Sequence, residues 1–131
     1  MTLAKAHIDI TLPVVDLERA KRFYGETLGL KLLDLPAPEL ASEMAFFEAG
    51  EGAQFALYRR EEPTKADHTL ASFRVSDVES AVAALGERGV VFEQYDMPGL
   101  KTDERGIAEM GPFRGAFLKD TEGNILGVVE G

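Results

Sequence analysis

Polar and apolar side chains alternate strictly in the stretch HIDITL, residues 7–12. Successive side chains of a strand point to opposite faces, so His7, Asp9 and Thr11 share one face and three aliphatic residues share the other. The aliphatic face predicts contact with a hydrophobic core. The side chains of the polar face could contact bulk water, line a pocket or bind a metal ion.

The chain also repeats itself at an offset of 61 residues. VVDLERA at residues 14–20 matches VSDVESA at residues 75–81, and both follow the pattern V-x-D-[LV]-E-x-A. The same offset pairs His7 with His68 and Thr11 with Ser72. Several matches at one offset indicate two copies of one structural unit.

Each copy predicts a strand, a helix and three further strands. The first strands cover Ile8–Val14 and Thr69–Val75, and a second strand begins after each helix, at Leu30 and at Val90. EAGEGA and DTEGN predict tight turns. These turns separate the remaining predicted strands, which are Met44–Glu48, Gln54–Arg59, Gly115–Lys119 and Ile125–Val129.

Both predicted helices carry start and stop signals. Asp16 is placed to cap the first helix, and Ser76 with Glu79 forms a capping-box pattern for the second. Gly29 and Gly89 follow the last apolar helical positions, as glycine commonly does at helix ends.

These patterns predict an α+β fold of two tandem βαβββ modules that form a cupped mixed sheet. We predict a single domain over residues 1–131, with one module at 4–60, a polar connector at 61–66 and the second module at 67–131. Two such sheets side by side would curve their uncovered faces around a common cavity.

Composition excludes several classes of function. The formal net charge is −9, which disfavours nucleic acid as a partner, and no apolar run approaches the length of a membrane span. The chain has no cysteine, so disulfides and thiolate metal sites are excluded. We expect a cytoplasmic protein with no nucleic-acid or membrane partner.

Three stretches resemble the vicinal-oxygen-chelate superfamily, which includes glyoxalase I, bleomycin-resistance proteins and extradiol dioxygenases. They are VVDLERAKRFYGETLGLKL, FRVSDVESAVAALGERGVVF and AFLKDTEGNILGVVE, and the resemblance as a whole covers nearly the entire chain. The resemblance implies paired βαβββ modules, a homodimer, and a site in the cup of an eight-stranded half-barrel. In the enzymes of the superfamily, that site holds a divalent metal.

The resemblance also locates the four strand positions that hold the metal in those enzymes. In this chain they fall on Asp9, Ala56, Leu70 and Gly127. Only the aspartate has a side chain able to bind an ion, so we expect no cofactor of the usual kind. A metal site displaced to His7 and His68 is an alternative, with Asp9, Gln54 or Glu109 as further ligands.

By alternation, a polar face opposite the helices could line the cup. Its candidate ligand contacts are His7, Asp9, Thr11, Gln54, Tyr58, His68, Ser72 and Arg74. Asp9 and Arg74 could pair across the two modules, either as a neutralising bridge or as a clamp on a substrate. The glycine- and proline-rich segment at residues 94–115 would border the cup, with candidate contacts at Tyr95, Asp96, Lys101, Thr102 and Glu109.

Three functions remain open from the sequence. The first is a metal-free protein that binds a small aromatic or cationic molecule, such as a drug or a metabolite. The second is a lyase or isomerase of the glyoxalase type, which would use a displaced metal or a carboxylate base, with Asp9 and Glu109 as catalytic candidates. The third is a scaffold or sensor domain with a vestigial cup.

Overall fold

The computed structural model describes residues 2–50 and 52–131. Met1 lies outside the described residues, as does Glu51 in the predicted turn EAGEGA. The strands of the first module are β1 (Ile10–Val14), β2 (Lys31–Leu32), β3 (Met44–Ala49) and β4 (Ala53–Arg59). Its helix α1 (Leu17–Arg22) continues into a π-helical turn (Phe23–Thr27), and one-turn 3₁₀ helices lie at Leu3–Lys5 and Pro38–Leu40.

The second module follows the same order with one insertion. Its strands are β5 (Thr69–Arg74), β8 (Ala108–Met110), β9 (Phe113–Lys119) and β10 (Ile125–Glu130), and its helix is α2 (Val78–Glu87). A small hairpin, formed by β6 (Asp96–Met97) and β7 (Leu100–Lys101), precedes β8.

The strand order is the same in the two modules. The first sheet has the order β1-β4-β3-β2 and the second has the order β5-β10-β9-β8. In each sheet the first and last strands of the module pair in parallel, and the other neighbours are antiparallel. This arrangement confirms the predicted α+β fold of two βαβββ units.

The helices lie on one side of the sheets and cover a core to which both modules contribute. Tyr24, Phe47 and Leu57 from the first module are fully buried, as are Leu118 and Leu126 from the second. Phe55 and Phe73 meet edge to face with ring centroids 6.2 Å apart, so the aromatic core crosses from one module to the other.

Several predicted boundaries need correction. The first strand begins at Ile10 instead of Ile8, because the ladder to β4 starts with the pair Ile10–Phe55. The strand predicted to begin at Val90 is reduced to a single bridge between Phe92 and Leu118.

The helix signals were predicted correctly for α1 but not for the start of α2. Asp16 caps α1 by accepting a hydrogen bond from the backbone N–H of Arg19. The residue that caps α2 is Asp77, whose side chain accepts from the N–H groups of Glu79 and Ser80. The predicted capping box at Ser76 is therefore wrong by one residue. Gly29 and Gly89 follow the helical segments with φ of 76° and 93°, which favours glycine at both positions.

Within residues 2–50 and 52–131, no helix combines the length and the apolar character that crossing a membrane requires.

Candidate functional site

Each sheet has a second face that points away from the helices, here called the open face. On the first sheet, Thr11 pairs with Ala56 and Ala56 pairs with Phe46, so these side chains lie side by side across three strands. On the second sheet, Ser72, Gly127 and Phe117 form the corresponding row. The open face is the face on which the sequence places the polar candidates.

The register shows that the repeat extends to the site. Thr11 and Ala56 pair in the first module as Ser72 and Gly127 do in the second. Leu70 lies at an irregularity, since Ile125 pairs with Thr69 while the next residue pairs with Ala71. Leu70 is half-buried and packs against the core.

The residues at the four implied metal positions do not fit a divalent ion. Such an ion needs nitrogen, oxygen or sulfur donors, which the side chains of Ala56, Leu70 and Gly127 lack. The space at Gly127 is also occupied, because a Cβ placed there would lie 2.7 Å from Ser72 Oγ. A ligating side chain at this position would therefore have to displace Ser72.

The structure does not assemble the displaced metal site either. His7, Asp9 and His68 are exposed. In the part of the chain that the structure describes, no three His, Cys, Asp or Glu side chains are grouped so that they could hold an ion. The hypothesis of a displaced site therefore gains no support from the geometry.

An aromatic pair lies beside Gly127 on the second sheet. The rings of Tyr95 and Phe117 meet edge to face, with centroids 5.8 Å apart. Thr102 holds the backbone of Tyr95, since its Oγ1 accepts a hydrogen bond from Tyr95 N at 2.9 Å and its own N–H donates to Tyr95 O. Phe117 was not among the sequence candidates, although alternation along its strand and its pairing with Gly127 would have placed it on this face.

Most of the remaining candidates are exposed on or near the open face. Gln54 and Tyr58 flank Ala56 on the first sheet, and Arg74 follows Ser72 on the second. Tyr58 carries the guanidinium of Arg60 over its ring at 5.5 Å from the centroid. Among the described residues, no ion pair joins Asp9 to Arg74, so the predicted bridge between the two is not formed within one chain.

Glu109, a candidate contact from the sequence, lies on the helix side of its sheet and not on the face of Ser72. It pairs with Arg114, which shares its strand face with the core residues Ala116 and Leu118. The Glu109 side chain is 81% exposed, and its carboxylate is 3.8 Å from Arg114 Nε. Lys101 and Glu109 line one cleft of about 600 Å³ beside the β6–β7 hairpin.

The DTEGN turn joins the two modules through buried polar contacts. The buried Asp120 accepts a hydrogen bond from the hydroxyl of Tyr24 at 2.6 Å. Burial, together with the carboxylate of Asp120, raises the pKa of Tyr24 well above its usual range. Asn124 Nδ2 donates to the carbonyl of Pro13 at 2.8 Å.

Glu122 makes the most extensive contact between the modules. Its carboxylate accepts from the backbone N–H groups of Val15 and Asp16, both at 2.9 Å, and from Arg19 Nε at 2.8 Å. Burial alone would raise the pKa of Glu122, but these hydrogen bonds outweigh burial and lower the pKa to about 2. The carboxylate therefore stays charged at neutral pH, at the N-terminus of α1 where negative charge is favoured.

The two sheets and their helices define a class of α+β proteins built from paired βαβββ modules. The model of the Glyoxalase/Bleomycin resistance protein/Dioxygenase superfamily matches residues 6–126, and the chain belongs to this superfamily. No match was found among curated proteins.

Solved structures support the same fold. A protein from Bacillus anthracis assigned to the glyoxalase family superposes with a TM-score of 0.74 at 17% identity, over 99% of this chain and 98% of that chain. A glyoxalase/dioxygenase from Nostoc punctiforme gives 0.70 at 22% identity, with coverage of 98% and 92%. Lactoylglutathione lyase from Agrobacterium tumefaciens gives 0.66 at 21% identity, with coverage of 99% and 96%. At these identities the similarity establishes the fold alone.

Proposed function

We propose that this chain binds a small, flat organic molecule on its open face without the help of a metal. The observation that carries the proposal is the loss of donors at three of the four implied ligand positions, Ala56, Leu70 and Gly127. A metal-dependent lyase or dioxygenase would need those donors to hold the ion that polarises its substrate.

The side chains near Gly127 suit an aromatic or cationic ligand. The half-buried Tyr95, backed by the buried Phe117, offers a ring for stacking, and the exposed Ser72 offers a hydroxyl that both donates and accepts hydrogen bonds. The net charge of −9 would attract a cation over long range. A drug or metabolite with a planar ring and a positive group combines these features.

The open face also suggests that the ligand site is completed by a second copy of the chain. Thr11 and Ser72 are exposed in the single chain. In the described residues, β1 pairs only with β4 and β5 pairs only with β10, so each has a free edge. A homodimer that brought these edges together would enclose the open faces in a common cup.

Ligand screening by thermal shift tests the proposal, with bleomycin and a panel of planar aromatic amines as probes. We expect at least one probe to raise the melting temperature. The effect should disappear in Ser72→Phe, which fills the open face, and persist in Ser76→Phe, a matched change in the exposed loop before α2. Equal effects of both variants, or no stabilisation by any probe, would overturn the proposal.

Metal analysis separates the proposal from a metal-dependent enzyme. Protein purified without a histidine tag should contain far less than one zinc, nickel or manganese ion per chain. Its melting temperature should be unchanged by a chelator, because Asp9 is the only donor at the four implied positions. A stoichiometric metal whose removal lowers the melting temperature would contradict the proposal.

A further inference from the structure

An apolar groove on the helix side of the sheets lies between the two modules, away from the open face. Nine residues line it and all nine are apolar. Leu28 and Leu30 contribute from the first module, while Phe73, Ala84, Leu85 and Leu118 are among those from the second. Its volume is about 280 Å³.

The groove is left open by two small side chains of α2 and by the turn at Gly29. Ala81 and Ala84 on α2 leave space that larger side chains would fill. Opposite them the chain passes through Gly29, with φ of 76°, so that Leu28 and Leu30 stand on either side of the turn. Leu28, Leu30 and Leu85 all pack against the core, which makes the groove an opening into the core and not a shallow surface patch.

One cation lies beside this groove, next to the turn between Leu28 and Leu30, although it is not part of the lining. Arg88 follows α2, and its Nη1 lies 3.4 Å from the position that a Cβ on Gly29 would occupy. The same nitrogen donates to the carbonyl of Glu26 at 2.9 Å. Within residues 2–50 and 52–131, Arg88 forms no ion pair, so most of its five N–H donors are available.

We propose that the groove is a second binding site, which takes a small amphiphile with an anionic group. The apolar part would enter between Leu28 and Ala84, and a carboxylate would accept hydrogen bonds from Arg88. A guanidinium matches a carboxylate in shape and charge, so Arg88 would bind the anionic group while the apolar lining binds the hydrocarbon. This site is independent of the ligand proposed for the open face.

The volume limits the size of the apolar part. An apolar cavity of about 150 Å³ can take benzene. A groove of about 280 Å³ therefore suits one or two fused rings or a short alkyl chain. 2-Naphthoate, which has two fused rings and one carboxylate, is a suitable probe.

Calorimetric titration of the full chain with 2-naphthoate tests the site. We expect saturable binding that weakens at least tenfold in Ala84→Phe, which fills the groove from an exposed position on α2. The matched control Ala83→Phe is on the same helix, exposed and outside the groove lining, and should bind as the unmodified chain does. Melting curves of both variants establish that they are folded.

A second pair of measurements tests the anionic group. Arg88→Met should weaken the binding of 2-naphthoate about five- to tenfold and leave the binding of the neutral probe 2-naphthamide unchanged. The control Arg22→Met, on the exposed side of α1, should change the binding of neither probe. Ser72→Phe should leave 2-naphthoate binding unchanged, because the open face is a different surface. Failure of open-face binding would therefore not affect this result.

Three outcomes would overturn the groove proposal. The first is the absence of saturable 2-naphthoate binding below 1 mM, a concentration that corresponds to about −4 kcal/mol. The second is equal weakening by Ala84→Phe and Ala83→Phe. The third is a dimer in sedimentation experiments that Ala84→Phe dissociates, since the groove would then be covered by another copy of the chain.

Discussion

Replacing Glu122 with glutamine should weaken the contact between the two modules without changing the size of the side chain. The Glu122 side chain has no exposed surface and comes from the turn between β9 and β10 of the second module. Its three main partners are Val15, Asp16 and Arg19, all at the start of α1 in the first module. An amide would keep one acceptor but lose the charge that these donors share.

The lowered pKa of Glu122 provides the magnitude. Its value of about 2 in the folded chain compares with an ordinary value of 4.5. This difference corresponds to about 3 kcal/mol of stability at neutral pH. Arg19 is 47% exposed, so solvent screening of that partner reduces its share. We therefore expect Glu122→Gln to lower the free energy of unfolding by about 2–3 kcal/mol at pH 7.

The pH dependence has a defined sign. A carboxylate whose pKa is lowered by folding contributes its full stability above the unfolded pKa, and this stability is lost as pH falls toward the folded pKa. The difference between the unmodified chain and Glu122→Gln should therefore be largest at pH 7. It should shrink as the pH falls from about 5 toward 2.

Urea unfolding followed by circular dichroism measures this difference at a series of pH values. Glu18→Gln is the matched control, because Glu18 lies on α1, is 70% exposed and pairs with Lys21 at 3.1 Å. It should change stability by less than about 0.5 kcal/mol. A Glu122→Gln variant as stable as this control at pH 7, or one whose deficit does not shrink on acidification, would refute the reasoning.

Three further predictions concern packing, ionisation and capping. Gly127→Ala should lower the free energy of unfolding by about 1–3 kcal/mol, because the added Cβ would lie 2.7 Å from Ser72 Oγ. Adding Ser72→Gly should restore part of this stability, and a thermal double-mutant cycle without coupling would contradict the clash. Ultraviolet titration to pH 11 should leave Tyr24 protonated in the folded protein, because its pKa is raised; ionisation of Tyr24 without unfolding would contradict the buried hydroxyl. Asp77→Ala should cost about 0.5–2 kcal/mol in urea unfolding and Ser76→Ala almost nothing, and the reverse order would restore Ser76 as the cap.

Local patterns were sufficient to predict the secondary structure and the repeat. Conformational preferences that act within a few residues explain the alternation around Thr11 and Ser72. They also explain the glycines at positions 29 and 89. The strand predicted to begin at Val90 was wrong, because its pairing with β9 depends on a partner distant in sequence and reduces to the bridge at Phe92. The cap of α2 was missed because adjacent Ser76 and Asp77 both suit an N-cap.

The candidate site was predictable only in part. The sequence predicted Tyr95 as a candidate contact but did not predict Phe117, whose ring packs against that of Tyr95. It expected Glu109 on the same face, whereas the pairing of Glu109 with Arg114 places it on the helix side. A three-residue strand shows too little alternation to reveal which face it buries, so the register of β8 against β9 decided the orientation.

By itself, the sequence determined the two-module architecture, which depends on residue type and spacing. Together with the resemblance to the superfamily, it also determined that three of the four implied metal positions carry no donor side chain. Only the tertiary structure decided that Glu122 joins the modules and that Arg88 lies beside an apolar groove. These contacts link residues about 60 to more than 100 positions apart, and no short-range preference encodes such pairs.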